Sequence, residues 1–168
     1  SGGLSYPFET LLKLFEKVPT IKAIKDWCNE PMLHEKHIRV FQNLPNPVNV
    51  LTTHSAWLMS SLVMGANGLL SGAGSVIAPL QVRLFNAVKN NNLEEAKDIN
   101  DKIFPLVQLF YKPPFLDMHN RMKETLVILN AMKKAVVRPP LMKLPFEEIE
   151  ELKNTVNDIN PVSYTHLT

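Results

Sequence analysis

Three short, β-prone apolar segments alternate with helical patterns in the first 79 residues, and this alternation restricts the fold more than any other feature. The segments read "TIKAIK", "PVNVLTT" and "NGLLSG". Each has the length and composition of a short buried strand. Strands separated by helices predict βαβ units and a parallel sheet whose loops gather at the carboxyl ends of the strands. We therefore expect an α/β fold.

The segments around these strands have the spacing of amphipathic helices. Apolar residues recur every three or four positions from Phe8 to Phe15 in "YPFETLLKLFEKV", and "PMLHEKHIRVFQ" shows the same spacing. In "SAWLMSSLVMG", Ser55 is the predicted N-cap, and Gly65 occupies the position where a helix commonly ends.

Only helical patterns follow residue 79. They are "PLQVRLFNAVKN", "NLEEAKDINDKIFPLVQLFY", "LDMHNRMKETLVILNAMKKAVV" and "PFEEIEELKNTV". Asn92 and Glu95 form a variant of the capping box at the start of the second pattern. Pro105 lies inside that pattern, so we expect it to kink or break the helix.

Composition excludes several classes of function. The 168 residues carry a formal net charge of +2 with basic residues scattered among acidic ones, so no nucleic-acid interface is expected. No apolar run is long enough to span a membrane, and the single cysteine, Cys28, cannot form an internal disulfide. We therefore expect one cytoplasmic globular domain without a membrane partner.

Lys25 closes the first strand segment, at the end of a parallel strand where α/β proteins place their chemistry. Lys22 lies three residues earlier, and because side chains alternate along a strand it is expected on the opposite face. Taken alone, the local sequence favours an ordinary solvated lysine.

Four blocks, taken together and in order, carry a family resemblance. "VPTIKAIKDW", "GANGLLSGAGSVIAP", "EEAKDINDKIFPL" and "MKETLVILNAMKKAVVRPPLMKLPFEEIEEL" resemble the carboxyl-terminal half of the dihydrodipicolinate synthase and N-acetylneuraminate lyase family, from about Gly3 to Val156. The resemblance implies a partial (β/α)8 TIM barrel, about its last three βα units, followed by a C-terminal helical extension. It implies barrel residues at 1–79 and a last barrel helix and extension at 80–158. Residues 159–168 show neither a helical nor a strand pattern, so we expect an unstructured or artefactual tail there.

The resemblance also implies a reaction. The family forms a Schiff base between a lysine and an α-keto acid, usually pyruvate, and the matching lysine is Lys25. An amine attacks a ketone only when it is neutral, so the protein must lower its pKa. The implied activity is that of a lyase, an aldolase with an aldehyde as second substrate, or alternatively a keto-deoxy sugar acid dehydratase. It implies a homo-oligomer and requires neither a metal nor an organic cofactor.

Three further residues are expected to bind substrate by the same resemblance. Ser71 and Gly72 follow the third strand, where the family places small residues against the substrate, although a simple strand-to-helix turn explains them equally well. Thr53 follows the second strand in "TTHS", which departs from the glycine and aspartate common in relatives. The identity of the second substrate is therefore left open.

The remaining polar residues are assigned no catalytic role. His54 has the chemistry of an acid or base, but a lone histidine is more often structural. His34 and His37 are three residues apart on one predicted helix, and without a carboxylate or cysteine at a suitable spacing we interpret them as part of a solvated face. Asp26 is expected to orient a neighbour or cap a turn.

Two elements of the family are not found in the sequence: a proton-relaying tyrosine on the fifth strand and a glycine-threonine-threonine-glycine segment that binds the keto acid's carboxylate. Tyr6 lies at the start of a helix rather than on a strand, so the relay is not assigned to it. We therefore expect a gene fragment. An inactive half-barrel that acts only in binding or assembly is the alternative to an enzyme.

Overall fold

The computed structural model describes residues 6–159. The chain forms two compact units, Ser1–Ser71 and Gly72–Thr168. The expected tail, apart from residue 159, lies outside the described residues. The predicted boundary at residue 79, between the barrel residues and the last barrel helix with its extension, stays a prediction. Residue 79 itself lies within a helix.

The first unit alternates helices and strands, as the sequence pattern predicts. Its elements are, in order, α1 (Phe8–Lys17), β1 (Ala23–Asp26), α2 (Pro31–Phe41), β2 (Asn49–Thr52), a 3-10 turn (Ser55–Trp57), α3 (Leu58–Met64) and β3 (Gly68–Leu69). The strands pair in the order β1-β2-β3, and both pairings are parallel. The expected α/β architecture with three βα repeats is thus confirmed, consistent with part of a barrel.

The two faces of this sheet differ in how well they are covered. Ile24 and Asp26 pair with Val50 and Thr52 across β1 and β2, and on this face Asp26, Val50 and Thr52 are buried. On the other face Lys25 pairs with Leu51, which pairs with Gly68. Within the first unit this second row is exposed or half-buried. On α2 and α3, the side chains of Ile38, Phe41, Leu58 and Leu62 are buried in the core.

The second unit is helical. It contains α4 (Gly74–Lys89), α5 (Leu93–Tyr111), a 3-10 turn (Phe115–Asp117), α6 (Met118–Ile128) and α7 (Phe146–Ile159). Its core is formed by the apolar stripes of these helices, with Leu84, Leu106, Phe110 and Leu152 fully or almost fully buried. The predicted helical extension is therefore present in this unit.

Two predictions about helix ends, the cap at Asn92 and the termination at Gly65, were confirmed. The Asn92 side chain accepts a hydrogen bond from the Glu95 N–H at the start of α5, as the capping box predicts. Gly65 ends α3 with a φ of 109°, a left-handed conformation that glycine adopts without steric cost.

Three local predictions were wrong. Ser55 does not cap a helix; it begins the 3-10 turn and its hydroxyl pairs with Ser71 instead. Pro105 does not break α5, which continues through it. The long helix predicted from residue 116 ends at Ile128, because Asn130 adopts a φ of 57° and the amides of residues 131 and 132 turn back to the carbonyl of Leu126.

None of the helices within residues 6–159 combines the length and apolar character that a membrane-spanning segment needs.

Arg121 organises the polar interior of the second unit. Its side chain is fully buried, and its Nε donates to Glu148 Oε1 over 2.6 Å. The remaining guanidinium nitrogens donate to the carbonyl oxygens of Phe110, Lys112 and Pro113. These bonds join α6 to α7 and to the segment that follows α5.

Replacing Arg121 by methionine removes the donor for Glu148 and for three carbonyl groups at once. We expect Arg121→Met to lower the free energy of unfolding by about 3 kcal/mol, because three carbonyl groups lose their donor and Glu148 keeps only Lys112 Nζ, at 3.7 Å. Urea unfolding followed by circular dichroism measures this.

The matched control is Lys153→Met. Lys153 is half-exposed and pairs with Glu150 one helical turn away, so its loss should cost less than about 0.5 kcal/mol. Equal losses in the two variants would show that the Arg121 network does not stabilise the unit.

Candidate functional site

Lys25 is exposed at the carboxyl end of β1, directly beside Leu51 of β2. It shares a sheet face with Leu51 and Gly68 and lies opposite to its neighbour Asp26, because side chains alternate along a strand. A Cβ at position 68 would lie 3.3 Å from Leu51 Cδ2, so glycine keeps this row closely packed. The lysine therefore projects from the less covered face of the sheet.

The other expected substrate residues have different surroundings. Thr53 is buried, and its N–H donates to the carbonyl of Asp26 over 3.1 Å, which continues the β1–β2 pairing. Ser71 lies two residues beyond β3, and its hydroxyl is 2.6 Å from that of Ser55. The carboxyl ends of β2 and β3 are thus followed by hydroxyl side chains, whereas β1 ends at Asp26.

Gly72, in the second unit, has a packing explanation of its own. A Cβ at this position would lie 3.2 Å from Met122 Sδ and 3.8 Å from His119 Cδ2. A side chain here would require the buried Met122 to shift slightly. The substrate role expected for Gly72 stays a prediction.

Behind Lys25, a buried carboxylate forms the centre of a hydrogen-bond network. Asp26 Oδ2 accepts from His34 Nδ1 over 2.7 Å and from His37 Nδ1 over 2.8 Å, while Oδ1 accepts from the N–H of Cys28 over 3.0 Å. On the far side of the ring, His34 Nε2 is 2.7 Å from Ser61 Oγ. Because a carboxylate can only accept, both histidines carry a proton on Nδ1.

The network controls the charge of Asp26. Burial by itself raises the pKa of a carboxyl group, but the hydrogen bonds from His34 and His37, together with their electrostatic attraction, hold the pKa of Asp26 well below its usual range. Asp26 is therefore an ionised carboxylate at neutral pH, fully occupied by donors.

Two further groups border this network. His54 is 4% exposed; its ring stacks on Trp57 with centroids 4.2 Å apart and meets His34 edge-on at 5.1 Å. Burial and the neighbouring His34 lower the pKa of His54 to about 4, so this ring is neutral at pH 7. Burial, with the nearby Asp26 carboxylate, raises the pKa of the Cys28 thiol to about 12.

Asp26, His34 and Ser61 follow one another in the hydrogen-bonding order of a hydrolase triad. His34 and Ser61, however, are both 0% exposed, and a nucleophile must reach its substrate. The arrangement therefore links β1 to α2 and α3, and no substrate can contact it as it stands.

The prediction of a solvated face at His34 and His37 was wrong. Both rings are buried because α2 packs its histidine side on the sheet, where Asp26 accepts from them. A signal existed in the sequence: His37 falls on the apolar spacing of α2 with Ile38 and Phe41.

We expect Ser61→Ala to destabilise the chain by about 1–2 kcal/mol relative to Ser60→Ala, because it leaves the buried His34 Nε2 without a partner. Ser60 is exposed on the same helix, so both variants gain the same helix propensity. Urea unfolding measures the difference; equal stabilities would contradict the role given to Ser61.

Comparisons with known proteins agree with this architecture. A 4-hydroxy-tetrahydrodipicolinate synthase of Chlorobaculum parvum is 25% identical over 136 residues, which cover 81% of this chain and 44% of the relative. A putative dihydrodipicolinate synthetase from Pseudomonas aeruginosa superposes with a TM-score of 0.81 at 19% identity, covering 95% of this chain and 52% of that structure.

Two more solved structures share the fold. N-acetylneuraminate lyase from Fusobacterium nucleatum has a TM-score of 0.75 at 19% identity and covers 94% of this chain and 51% of its own. A prophage protein of the dihydrodipicolinic acid synthase family from E. coli K12, in complex with pyruvate, has a TM-score of 0.77 at 20% identity, covering 89% and 50%.

The chain spans about half the length of the relatives and structures that it matches. The model of the dihydrodipicolinate synthetase family matches residues 2–159, nearly all of the sequence. The chain belongs to the dihydrodipicolinate synthetase family.

Proposed function

We propose that the protein containing this chain is a lyase of the Schiff-base aldolase class and that Lys25 is its nucleophile. The observation that carries the proposal is the family match over residues 2–159, together with the position of Lys25 at the carboxyl end of a parallel strand. Active sites of barrels built from such strands lie at that end. Lys25 is exposed beside the half-buried Leu51 and Gly68, so the amine is accessible to a small molecule.

In the proposed reaction, the neutral Lys25 amine attacks the ketone carbon of an α-keto acid, and loss of water forms an iminium. Removal of a proton from the adjacent carbon gives an enamine, whose carbon adds to an aldehyde; hydrolysis then returns the amine. The reverse sequence cleaves an aldol. The water lost when the iminium forms is regained at hydrolysis, and the proton removed from carbon is balanced by the proton that the aldehyde oxygen takes up, so the lysine is regenerated unchanged.

Pyruvate is the first substrate to test, since a structural neighbour of this fold is a complex with pyruvate. We propose that Ser71 binds the keto acid. Its hydroxyl lies just beyond β3 and is hydrogen-bonded to the hydroxyl of Ser55. We also propose contributions from Thr53 and Gly72. Thr53 is buried and Gly72 is closely packed, so each residue also has a structural role.

We further propose that residues 1–79 carry the chemistry, that residues 80–158 support it, and that the protein assembles as a homo-oligomer. Thr53, at the end of β2, would then contact the second substrate. A polar aldehyde with hydroxyl groups suits a threonine hydroxyl.

Borohydride trapping tests the role of Lys25. We expect the 168-residue chain, incubated with pyruvate and reduced, to gain one pyruvate-derived adduct, which peptide mapping places on Lys25. Reduction makes the imine bond permanent, so intact mass spectrometry counts the adducts.

Two variants give the matched comparison. Lys25→Ala should lose the adduct, and Lys22→Ala should keep it, because Lys22 is an exposed lysine just before the same strand. Equal labelling of many surface lysines, or no labelling of the folded chain, would refute the proposed nucleophile for this chain and favour a half-barrel that serves only in binding or assembly.

A further inference from the structure

A mixed group of metal-binding side chains lies at the strand ends of the first unit, on the side of the sheet away from Lys25. It consists of Asp26, Cys28, His34 and His54, and one ligand atom from each lies within 4.8 Å of the others. Asp26 ends β1, His34 lies in the first turns of α2, and His54 follows β2. Three separate segments therefore converge on one point.

One ring nitrogen of His54 lacks a hydrogen-bond partner. Its Nε2 atom is buried and has no partner within residues 6–159, and the residue is only 4% exposed. A buried polar atom without a partner costs about 1–3 kcal/mol. A cation bound among the four side chains would supply the missing partner.

The donor set has the composition that zinc prefers. One thiolate, two imidazoles and one carboxylate are typical Zn²⁺ ligands, whereas Mg²⁺ and Ca²⁺ take oxygen ligands. Zinc bonds of about 2.0–2.3 Å hold tetrahedral donors roughly 3.3–3.7 Å apart, so the widest pair of the group needs to contract by roughly 1 Å. Asp26 Oδ2 and His34 Nδ1, now 2.7 Å apart, exchange their hydrogen bond for bonds to the ion and separate. The charges of Zn²⁺, the Cys28 thiolate and the Asp26 carboxylate cancel.

The surrounding hydrogen bonds are those that metal ligands require. Ser61 Oγ holds His34 Nε2, which leaves His34 Nδ1 for the ion. His37 Nδ1 donates to Asp26 Oδ2 and would orient the carboxylate. Ser61 and His37 are both buried, so these positions are fixed by packing.

We propose that Asp26, Cys28, His34 and His54 bind one Zn²⁺ ion in a closed, structural site that ties the loops after β1 and β2 to α2. On binding, Cys28 loses its thiol proton to solvent. The proton on His34 Nδ1 moves to Nε2, which then donates to Ser61 Oγ, so one proton is released in total. The site lies behind the lysine and takes no part in the Schiff-base reaction.

Cobalt provides the direct test, because Co²⁺ occupies tetrahedral zinc sites and reports its ligands by absorption. The metal-free 168-residue chain should bind one Zn²⁺ in calorimetric titration. With Co²⁺ it should develop intense visible d–d bands and a thiolate charge-transfer band in the near ultraviolet. Cys28 is the only cysteine in the sequence, so that band identifies it without any mutation.

Variants complete the experiment. Cys28→Ser should remove the charge-transfer band. Both Cys28→Ser and His54→Gln should weaken zinc binding by at least about 100-fold, since the loss of a residue that only orients a ligand can already have an effect of that size. His119→Gln, an exposed histidine of the second unit, should bind as the unaltered chain does. Circular dichroism confirms that each variant is folded.

Two results would overturn the proposal. The first is binding of less than one equivalent of Zn²⁺ by the unaltered chain, or a Co²⁺ complex of that chain without a thiolate band. This result does not depend on the folding of any variant. The second is unchanged zinc affinity in folded Cys28→Ser and His54→Gln. Zinc binding does not depend on the pyruvate adduct, so either proposal can fail alone.

Discussion

The carboxylate of Asp26 is the group on which the first unit depends most. A buried charge is costly unless every lone pair facing the interior is occupied. Here the occupants come from Cys28 on the loop and from two positions of α2, and His34 passes the connection on to Ser61 of α3. One strand end, one loop and two helices must therefore adopt their native positions together, which makes the network cooperative.

This constraint also determines where the lysine lies. Side chains alternate along β1, so fixing Asp26 toward α2 places Lys25 on the opposite face. The carbonyl of Asp26 accepts from Thr53, and the register continues through Leu51 to Gly68. The structural network and the proposed reaction centre are thus adjacent residues of one strand with separate tasks, and the sheet keeps them apart.

The sequence predicts those parts of the fold that depend on local periodicity. The alternation of strands with helices and the cap at Asn92 follow from spacing and short-range hydrogen bonds, and both are present. The partners of His34 could not be predicted in the same way, since they lie eight and 27 residues away. Ser55 failed as a cap for a similar reason: Ser71, distant in sequence, competes for its hydroxyl.

The uncovered face of the sheet connects stability to the proposed chemistry. Parallel sheets are ordinarily covered on both faces, yet within the first unit the row of Lys25, Leu51 and Gly68 is only partly covered. A surface that closed over this row would bury Leu51, and the hydrophobic effect would favour that contact. The same contact would remove water from around the lysine, and burial is one way to keep a nucleophilic amine neutral. Apolar contact at Leu51 would therefore help to create the environment that the proposed reaction at Lys25 requires.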